Sequence, residues 1–333
     1  MINKNKDKIQ KKALKALLDN GGSGLITLCT GGGKSKIAIN YCKYLIKKKK
    51  TKFCLIVPTE NLRDNNWKEE FIQWDAFDIY KTLDRYCYAS ISKVKDEHYD
   101  LVILDEAHNI TENNVVFFKN NQIENIIALT ATPPKDDIKM GLLKELGLNT
   151  VLNVTLDEGV ELGIVAPYNI TVIEMQLDDS DKYIPAGNKA KPFFSTESAH
   201  YTYLTRCIQK MMYKGDVPPF MYLNRMRFIY NLKSKTLFAK KILDKIPSNK
   251  RVLIFCGSKE QSEELCDHYY HSGNEKLGSK WLTDFINKDI NRLSSVKKLN
   301  EGMNIPDLDY AVIVQLNSND LDLVQRIDTT CPL

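Results

Sequence analysis

The segment Leu25-Ile26-Thr27-Leu28-Cys29-Thr30-Gly31-Gly32-Gly33-Lys34-Ser35 restricts this chain to few architectures. An apolar run of strand length meets three consecutive glycines, and Lys36-Ile37-Ala38-Ile39-Asn40-Tyr41 continues with helical character. Glycines let the backbone curl so that successive N–H groups face one concavity, and the following helix turns its positive end to the same place. Such a strand-loop-helix unit suits phosphate oxygens. Lys34 can reach the outer phosphates of a nucleotide, and the Ser35 hydroxyl can complete the shell of a magnesium ion. A glycine run after a strand is also an ordinary turn, so the reading depends on what the rest of the chain supplies.

The chain supplies repeated strand and helix units. Apolar residues at helical spacing predict a first helix over Lys8 to Leu18. Phe53-Cys54-Leu55-Ile56-Val57 reads as a buried strand, and Pro58 to Leu62 turns it into an amphipathic segment. There Trp67, Phe71 and Trp74 recur at helical intervals, which marks a core face. Tyr86 to Ile91 and Leu101-Val102-Ile103-Leu104 are further strands, and the second delivers Asp105-Glu106-Ala107-His108 at its carboxyl end. Ligands of open parallel sheets bind beyond those ends, so Asp105 should lie near Ser35 and share its magnesium. Glu106 is suited to orient or activate the water that attacks a γ-phosphate. Acidic residues also favour helix N-termini, but a strand, a carboxylate pair and a histidine following a phosphate loop argue for chemistry. Ile126 to Leu129 ends in Thr130-Ala131-Thr132-Pro133-Pro134, where the prolines stop the strand and leave two hydroxyls at the same edge. These units predict a doubly wound α/β lobe.

With 333 residues the chain can build two ordinary domains. The net charge of +5, from 47 basic and 42 acidic residues, mildly favours a polyanionic partner. The run Lys47 to Lys50 closes a helix, where cations are expected in any case. Eight cysteines without a C-x-x-C pair point to a reducing compartment, with Cys29 and Cys54 acting as small hydrophobes in strands. Cys256, Cys266, His268 and His271 are near in sequence, but their spacing fits no compact zinc site. The lysine-rich N-terminus lacks an apolar signal core, and no stretch is long enough to span a bilayer. The expected location is the cytoplasm or another reducing, nucleic-acid-containing compartment, without secretion or membrane insertion.

A change of character between Gly159 and Pro167 predicts a first domain of residues 1–164 and a second of 165–333. Alternation in Tyr168 to Met175 predicts a strand, and Asp178 to His200, broken by Pro185, Gly187 and Pro192, predicts a mobile surface loop. Tyr201 to Ile246 reads as helical. It carries Arg206, Lys210, Lys214, Arg225, Arg227, Lys233, Lys235, Lys240 and Lys241 interleaved with Tyr and Phe. That mixture fits either a solvated basic face or a surface that tracks phosphates and stacks on bases. Arg251 to Ser258 and Ala311 to Gln315 are further strands.

Thr30 to Ser35, Asp105-Glu106-Ala107-His108 and Thr130-Ala131-Thr132 resemble, in that order, motifs I, II and III of superfamily 2 helicases of the DEAH type. Within that group the chain is most similar to compact phage-type or repair-type DNA helicases. The resemblance implies an α/β fold of two RecA-like lobes, each a mostly parallel sheet flanked by helices. It implies ATP and Mg2+ held between them and a nucleic-acid strand crossing both. By the same resemblance Lys34, Asp105, Glu106 and His108 form the catalytic set, Thr30 to Ser35 hold phosphate and Gln10 reads adenine. Pro58, Thr59, Tyr88, Ser90 and Ser92 line the strand, and Thr130 with Thr132 couples nucleotide state to grip. Gly257 and Ser258 resemble motif IV, which also contacts nucleic acid. Leu299 to Pro306 resembles motif V, bringing Gly302 and Asn304 toward the nucleotide.

Motif VI departs from the family. Gln325-Arg326-Ile327-Asp328-Thr329-Thr330-Cys331-Pro332 has Asp, Thr and Pro where Gly and two arginines are expected, leaving Gln325 and Arg326 as its nucleotide contacts. Such arginines can be worth ~10³–10⁵ in rate. A shortened or altered C-terminus, weak hydrolysis, and a nucleotide-gated clamp that does not unwind all remain open. The expected activity is ATP-driven helicase or translocase action, on single-stranded or branched DNA more than RNA, by a monomer.

Overall fold

The computed structural model describes residues 4–134, 136–296, 305 and 307–315. Gly302, Asn304, Gln325 and Arg326 lie outside the described residues, as does nearly all of the motif V and VI segments. The chain divides into two compact units; of the described residues, those up to Tyr168 and Ile305 fall in the first, and 169–296 with 307–315 in the second.

The first unit opens with helix α1 (Lys4–Asp19), strand β1 (Gly24–Leu28), α2 (Lys34–Lys47) and β2 (Phe53–Val57). Then come α3 (Trp67–Gln73), α4 (Phe77–Thr82), β3 (Asp84–Cys87), the short β4 (His98–Tyr99) and β5 (Leu101–Leu104). The unit ends with α5 (Glu112–Asn120), β6 (Gln122–Ile123), β7 (Ile126–Thr130), α6 (Asp137–Glu145), β8 (Thr150–Val154) and α7 (Leu156–Glu161). Six strands form one parallel sheet in the order β3-β2-β5-β7-β1-β8.

Helices cover both faces of this sheet, so its central strands are apolar throughout. The two-residue period sends Ile26, Leu28, Leu55, Val57, Ile103 and Leu129 to one core, where Ile9, Ala13 and Leu17 of α1 and Ile37, Tyr41 and Leu45 of α2 meet them. Leu25, Cys54, Ile56, Val102, Leu104 and Ala128 point the other way, against Val115 and Phe117 of α5 and Leu142 and Leu143 of α6. Trp67 and Phe71 are buried, as their spacing predicts. The strand expected over Tyr86 to Ile91 ends at Cys87, and Ile91 instead begins a turn of 3-10 helix.

The second unit contains β9 (Ile184–Asn188), β10 (Lys191–Ser195), α8 (Glu197–Met212), α9 (Pro219–Tyr230), α10 (Lys233–Lys245) and β11 (Val252–Phe255). It continues with α11 (Lys259–Leu265), β12 (Tyr269–Tyr270), α12 (Glu275–Ile286), β13 (Arg292–Ser295) and β14 (Tyr310–Ile313). Four of these strands form a second parallel sheet, β12-β13-β11-β14. The architecture is therefore α/β with two parallel sheets flanked by helices.

Two sequence expectations fail here. Tyr168 to Met175 forms no strand; Val172 is 82% exposed, with Ile170, Ile173 and Met175 also at the surface. Alternation predicts a strand only where a partner and a buried face exist, and this stretch has neither among the described residues. Asp178 to His200 is not a plain loop, because β9 and β10 pair as an antiparallel hairpin. Gly187, at φ 87, supplies a backbone turn that other residues resist, and Asn188 Oδ1 accepts the N–H groups of Ala190 and Lys191. Pro185 and Pro192 fit because a two-stranded ribbon consists only of edge strands.

Candidate active site

β5, β7 and β1 are neighbours, run in the same direction and end on one edge of the first sheet. From β1 the chain enters the glycine loop, where Gly31 (φ 78) and Gly33 (φ 87) adopt left-handed conformations. Side chains are excluded there for a second reason. A Cβ on Gly32 would lie 2.5 Å from Leu28 Cγ, and one on Gly33 would strike the Gln10 amide. Gln10, buried on α1, donates from Nε2 to the Gly32 carbonyl at 3.1 Å, while its Oε1 has no hydrogen-bond partner. Lys34 and Ser35 open α2, and Lys34 Nζ donates to the Leu28 carbonyl at 3.2 Å.

Asp105 follows β5 and is 8% exposed. Its Oδ1 accepts the Glu106 N–H at 3.0 Å and its Oδ2 accepts the Trp67 indole N–H at 2.8 Å. Burial pushes its carboxyl above the usual range, while the indole, the Lys34 ammonium and the Glu106 amide pull against that shift. Lys34 thus acts electrostatically at Asp105. Glu106 is held at φ 46, ψ 56, a left-handed conformation that costs a non-glycine residue ~1–3 kcal/mol. Its Oε2 lies 3.4 Å from His108 Nδ1.

His108 is 3% exposed, and its Nδ1 lies 3.0 Å from Thr130 Oγ1 at the end of β7. The Thr130 hydroxyl donates to the Thr132 carbonyl, so toward the ring it accepts. That assigns the proton to Nδ1 and leaves Nε2 to accept from Asn109 Nδ2 at 3.2 Å. The ring is neutral in this arrangement. Burial, then the charges of Lys139 and Lys34, push its pKa down to about 4. Thr130 Oγ1 also accepts the Thr132 N–H, while Thr132 Oγ1 is buried without a partner. A continuous polar chain therefore runs Glu106, His108, Thr130, Thr132.

The residues expected to line a nucleic-acid strand are placed unevenly. Thr59 and Ser90 are exposed, and Pro58 and Ser92 are half-buried. Tyr88 is a correction: its ring is in the core and its hydroxyl donates to the Asp105 carbonyl at 3.0 Å, so it braces the site from behind. In the second unit, Gly257 follows β11 and donates its N–H to Gln261 Oε1, and Ser258 Oγ caps α11 by accepting the Gln261 N–H. Cys256 is buried in the core beside β11 and His271 Nε2 meets Glu263; among the described residues these two are not gathered with Cys266 and His268 into one cluster of ligand atoms. Sequence spacing did not reveal Trp67, whose only signal was its place on a helix after β2, nor Lys139, which donates to the His108 carbonyl at 2.7 Å.

Oxygen donors at Asp105 and Ser35, glycines with no room for a Cβ, and an unpartnered buried oxygen on Gln10 fit a magnesium nucleotide. Among the described residues no helix is long and apolar enough to cross a membrane.

Comparison with known proteins agrees with this geometry. Residues 3–84 match the family described as "Type III restriction enzyme, res subunit", and residues 234–330 match "Helicase conserved C-terminal domain". The chain is similar to "Putative helicase 22" of Sulfolobus islandicus filamentous virus (isolate Iceland/Hveragerdi), with 25% identity over 344 residues covering 92% of this chain. It spans 57% of that viral protein's length. Among solved structures, the DNA-bound ATP-dependent Type ISP restriction-modification enzyme LlaBIII matches all of this chain with 27% of its own, at TM-score 0.63 and 16% identity. The Hef helicase domain of Pyrococcus furiosus matches 99% of this chain with 94% of its own, at TM-score 0.55 and 14% identity. The fold is thus that of two RecA-like lobes. With one matched segment near the start of the chain and the other beyond α9, the chain is similar to superfamily 2 helicases at both places.

Proposed function

We propose that the protein is an ATP- and magnesium-dependent nucleic-acid helicase or translocase of the DEAH type, acting on DNA in preference to RNA. The observation that carries this reading is the shared edge of β1, β5 and β7, from which the glycine loop, the Asp105-Glu106 pair and the Thr130 to Thr132 turn all leave. Lys34 holds the outer phosphates, Ser35 and Asp105 hold the ion, and Gln10 Oε1 accepts the adenine amino group. Magnesium held by Ser35 and Asp105 would neutralise charge on the phosphates as the terminal phosphoryl group passes to water and ADP leaves. Glu106, fixed by its strained backbone, orients that water. The chain from Glu106 through His108 to Thr130 and Thr132 carries the state of the γ-phosphate to the end of β7. Pro58, Thr59, Ser90 and Ser92 in the first unit, with Gly257 and Ser258 in the second, contact the strand.

A second reading, a nucleotide-gated clamp with little turnover, is favoured by the sequence at Gln325 to Pro332, which lacks the expected arginines. Steady-state ATP hydrolysis with and without single-stranded DNA or RNA separates the two. Strand-stimulated turnover, greater with DNA, supports the helicase; tight analogue binding without stimulated turnover supports the clamp. Failure to bind ATP analogues would remove both.

A further inference from the structure

The segment from Lys182 to Tyr230, which forms β9, β10, α8 and α9, has eight lysines and arginines against two acids. Its net charge of +6 exceeds the +5 of the whole chain, so the remainder is close to neutral. One of the two acids, Glu197, is buried and spends its charge internally on the Tyr183 hydroxyl and on Ser234. The other, Asp216, comes after the end of α8.

The distribution is regular. Tyr203, Arg206, Lys210, Tyr213 and Lys214 recur along one face of α8 and just past its end, and all five are exposed, with Tyr203 at 62% and Tyr213 at 93%. The cations at 206, 210 and 214 rise by ~6 Å per step, a ladder suited to a repeating anion. Arg206, Lys210, Lys214 and Arg227 take part in no ion pair among the described residues. On α10, by contrast, Lys233 pairs with Asp181 and Lys240 with Glu264, and Lys235 donates to Gln315. α9 buries none of its residues. It is held to α8 by the His200 and Phe228 rings at 4.9 Å and by Arg225, which lies over Tyr201 and donates to Thr205. Phe220 of α9 is 59% exposed.

A solvated helix face carries acids among its bases and keeps aromatics inward, and protein-docking surfaces are depleted of lysine at their centres. Neither describes this face. Cations alternating with exposed rings match a polyanion whose units also offer flat faces, and in a duplex those faces are stacked away. We infer that the outward side of α8 and α9 is a docking surface for single-stranded nucleic acid. It uses none of the residues assigned above to nucleotide or strand contact. This inference rests on the nucleic-acid reading proposed above. Arg206, Lys210 and Lys214 take phosphates, and Tyr203 and Tyr213 take bases.

The test uses the full chain and a labelled oligothymidylate, followed by fluorescence anisotropy across a salt series, beside a fluorescent ATP analogue. Arg206→Ala/Lys210→Ala should weaken strand binding about tenfold and flatten the slope of log affinity against log salt by roughly 1.4. Tyr213→Ala should weaken it at least ~5-fold with the slope unchanged, as loss of stacking requires. Lys276→Ala/Lys280→Ala on α12 should match wild type to within about twofold, and ATP-analogue binding should be equal in all four proteins. Wild-type strand binding that none of the α8 variants alters overturns this surface and leaves the proposed function standing. A loss confined to duplex overturns the single-strand occupant. A wild-type dimer that the α8 variants dissociate, with strand binding intact, assigns the face to a second copy instead. A wild-type protein that binds neither oligothymidylate nor oligouridylate removes the helicase reading, and this one with it.

Discussion

The Trp67 indole N–H donates to the Asp105 carboxylate at 2.8 Å across 38 residues of sequence, and both groups are buried. With Oδ1 taken by the Glu106 N–H, the indole fixes the rotation of the carboxylate, leaving one open lone pair on each oxygen. Trp67→Phe keeps the packing and frees the rotation. The magnesium concentration for half-maximal ATPase should rise about tenfold, the worth of one hydrogen bond to a charged group. Manganese affinity in the ADP complex, read by electron paramagnetic resonance, should fall in parallel, while metal-free ADP binding stays unchanged. A purely structural role for Trp67 would leave the metal affinity where it is.

Glu106→Gln preserves shape and removes the negative charge beside the attacking water. Analogue affinity should remain within about threefold of wild type, whereas turnover should drop by ~10²–10⁴. Undiminished turnover in this variant would take Glu106 out of the mechanism.

His108 is buried neutral, facing Thr130 and Glu106 with the charges of Lys139 and Lys34 nearby. Its pKa of about 4 lies below the 6.5 of an unfolded histidine, so between those values the unfolded chain binds a proton that the native one refuses. Its contribution to stability is complete above 6.5 and falls as pH drops toward 4, by up to ~1.4 kcal/mol per pH unit. Urea titrations at pH 7.5 and 5 should show this loss, and His108→Gln should remove that part of the slope. An unchanged slope in the variant would place the titration elsewhere.

Glu197 ties three segments together. Its carboxylate accepts from Asp178 N, Tyr183 Oη, Ser234 N and Ser234 Oγ, joining the approach to β9, the start of α8 and the start of α10. Burial raises its pKa, but those donors outweigh burial and hold the carboxyl below the usual range. Glu197→Gln turns one acceptor into a donor among donors and should cost ~2–3 kcal/mol. Urea denaturation measures this, and limited proteolysis should show faster cleavage between residues 178 and 197. Unaltered cleavage would mean the hairpin is held by other contacts.

The first unit was largely legible because β1, β2 and β5 are buried on both faces and read as apolar runs, broken only by Thr27 in β1. Side chains at the carboxyl ends of β1, β5 and β7 stand out against such runs, as Lys34, Asp105 and Thr130 do. β13 could not be found this way. It reads Arg292-Leu293-Ser294-Ser295, and its buried serines are satisfied by Ser262 and by the Tyr270 carbonyl. Hydropathy is blind to a core strand whose polar groups find partners. β8 was missed because it alternates at a sheet edge, while Tyr168 to Met175 alternates just as well and forms nothing. Contacts such as Trp67 with Asp105 depend on which helix turn faces which strand end, and no spacing rule encodes that.

The strand order has a consequence for how the molecule is made. β1 is translated first, yet its sheet neighbours are β7 and β8, the last strands of that unit to be synthesised. At ~5–20 residues per second the ribosome needs on the order of 6–25 s to pass from Leu28 to Val154. Throughout that interval β1 and the glycine loop that follows it lack one or both of the strands that flank β1 in the finished sheet.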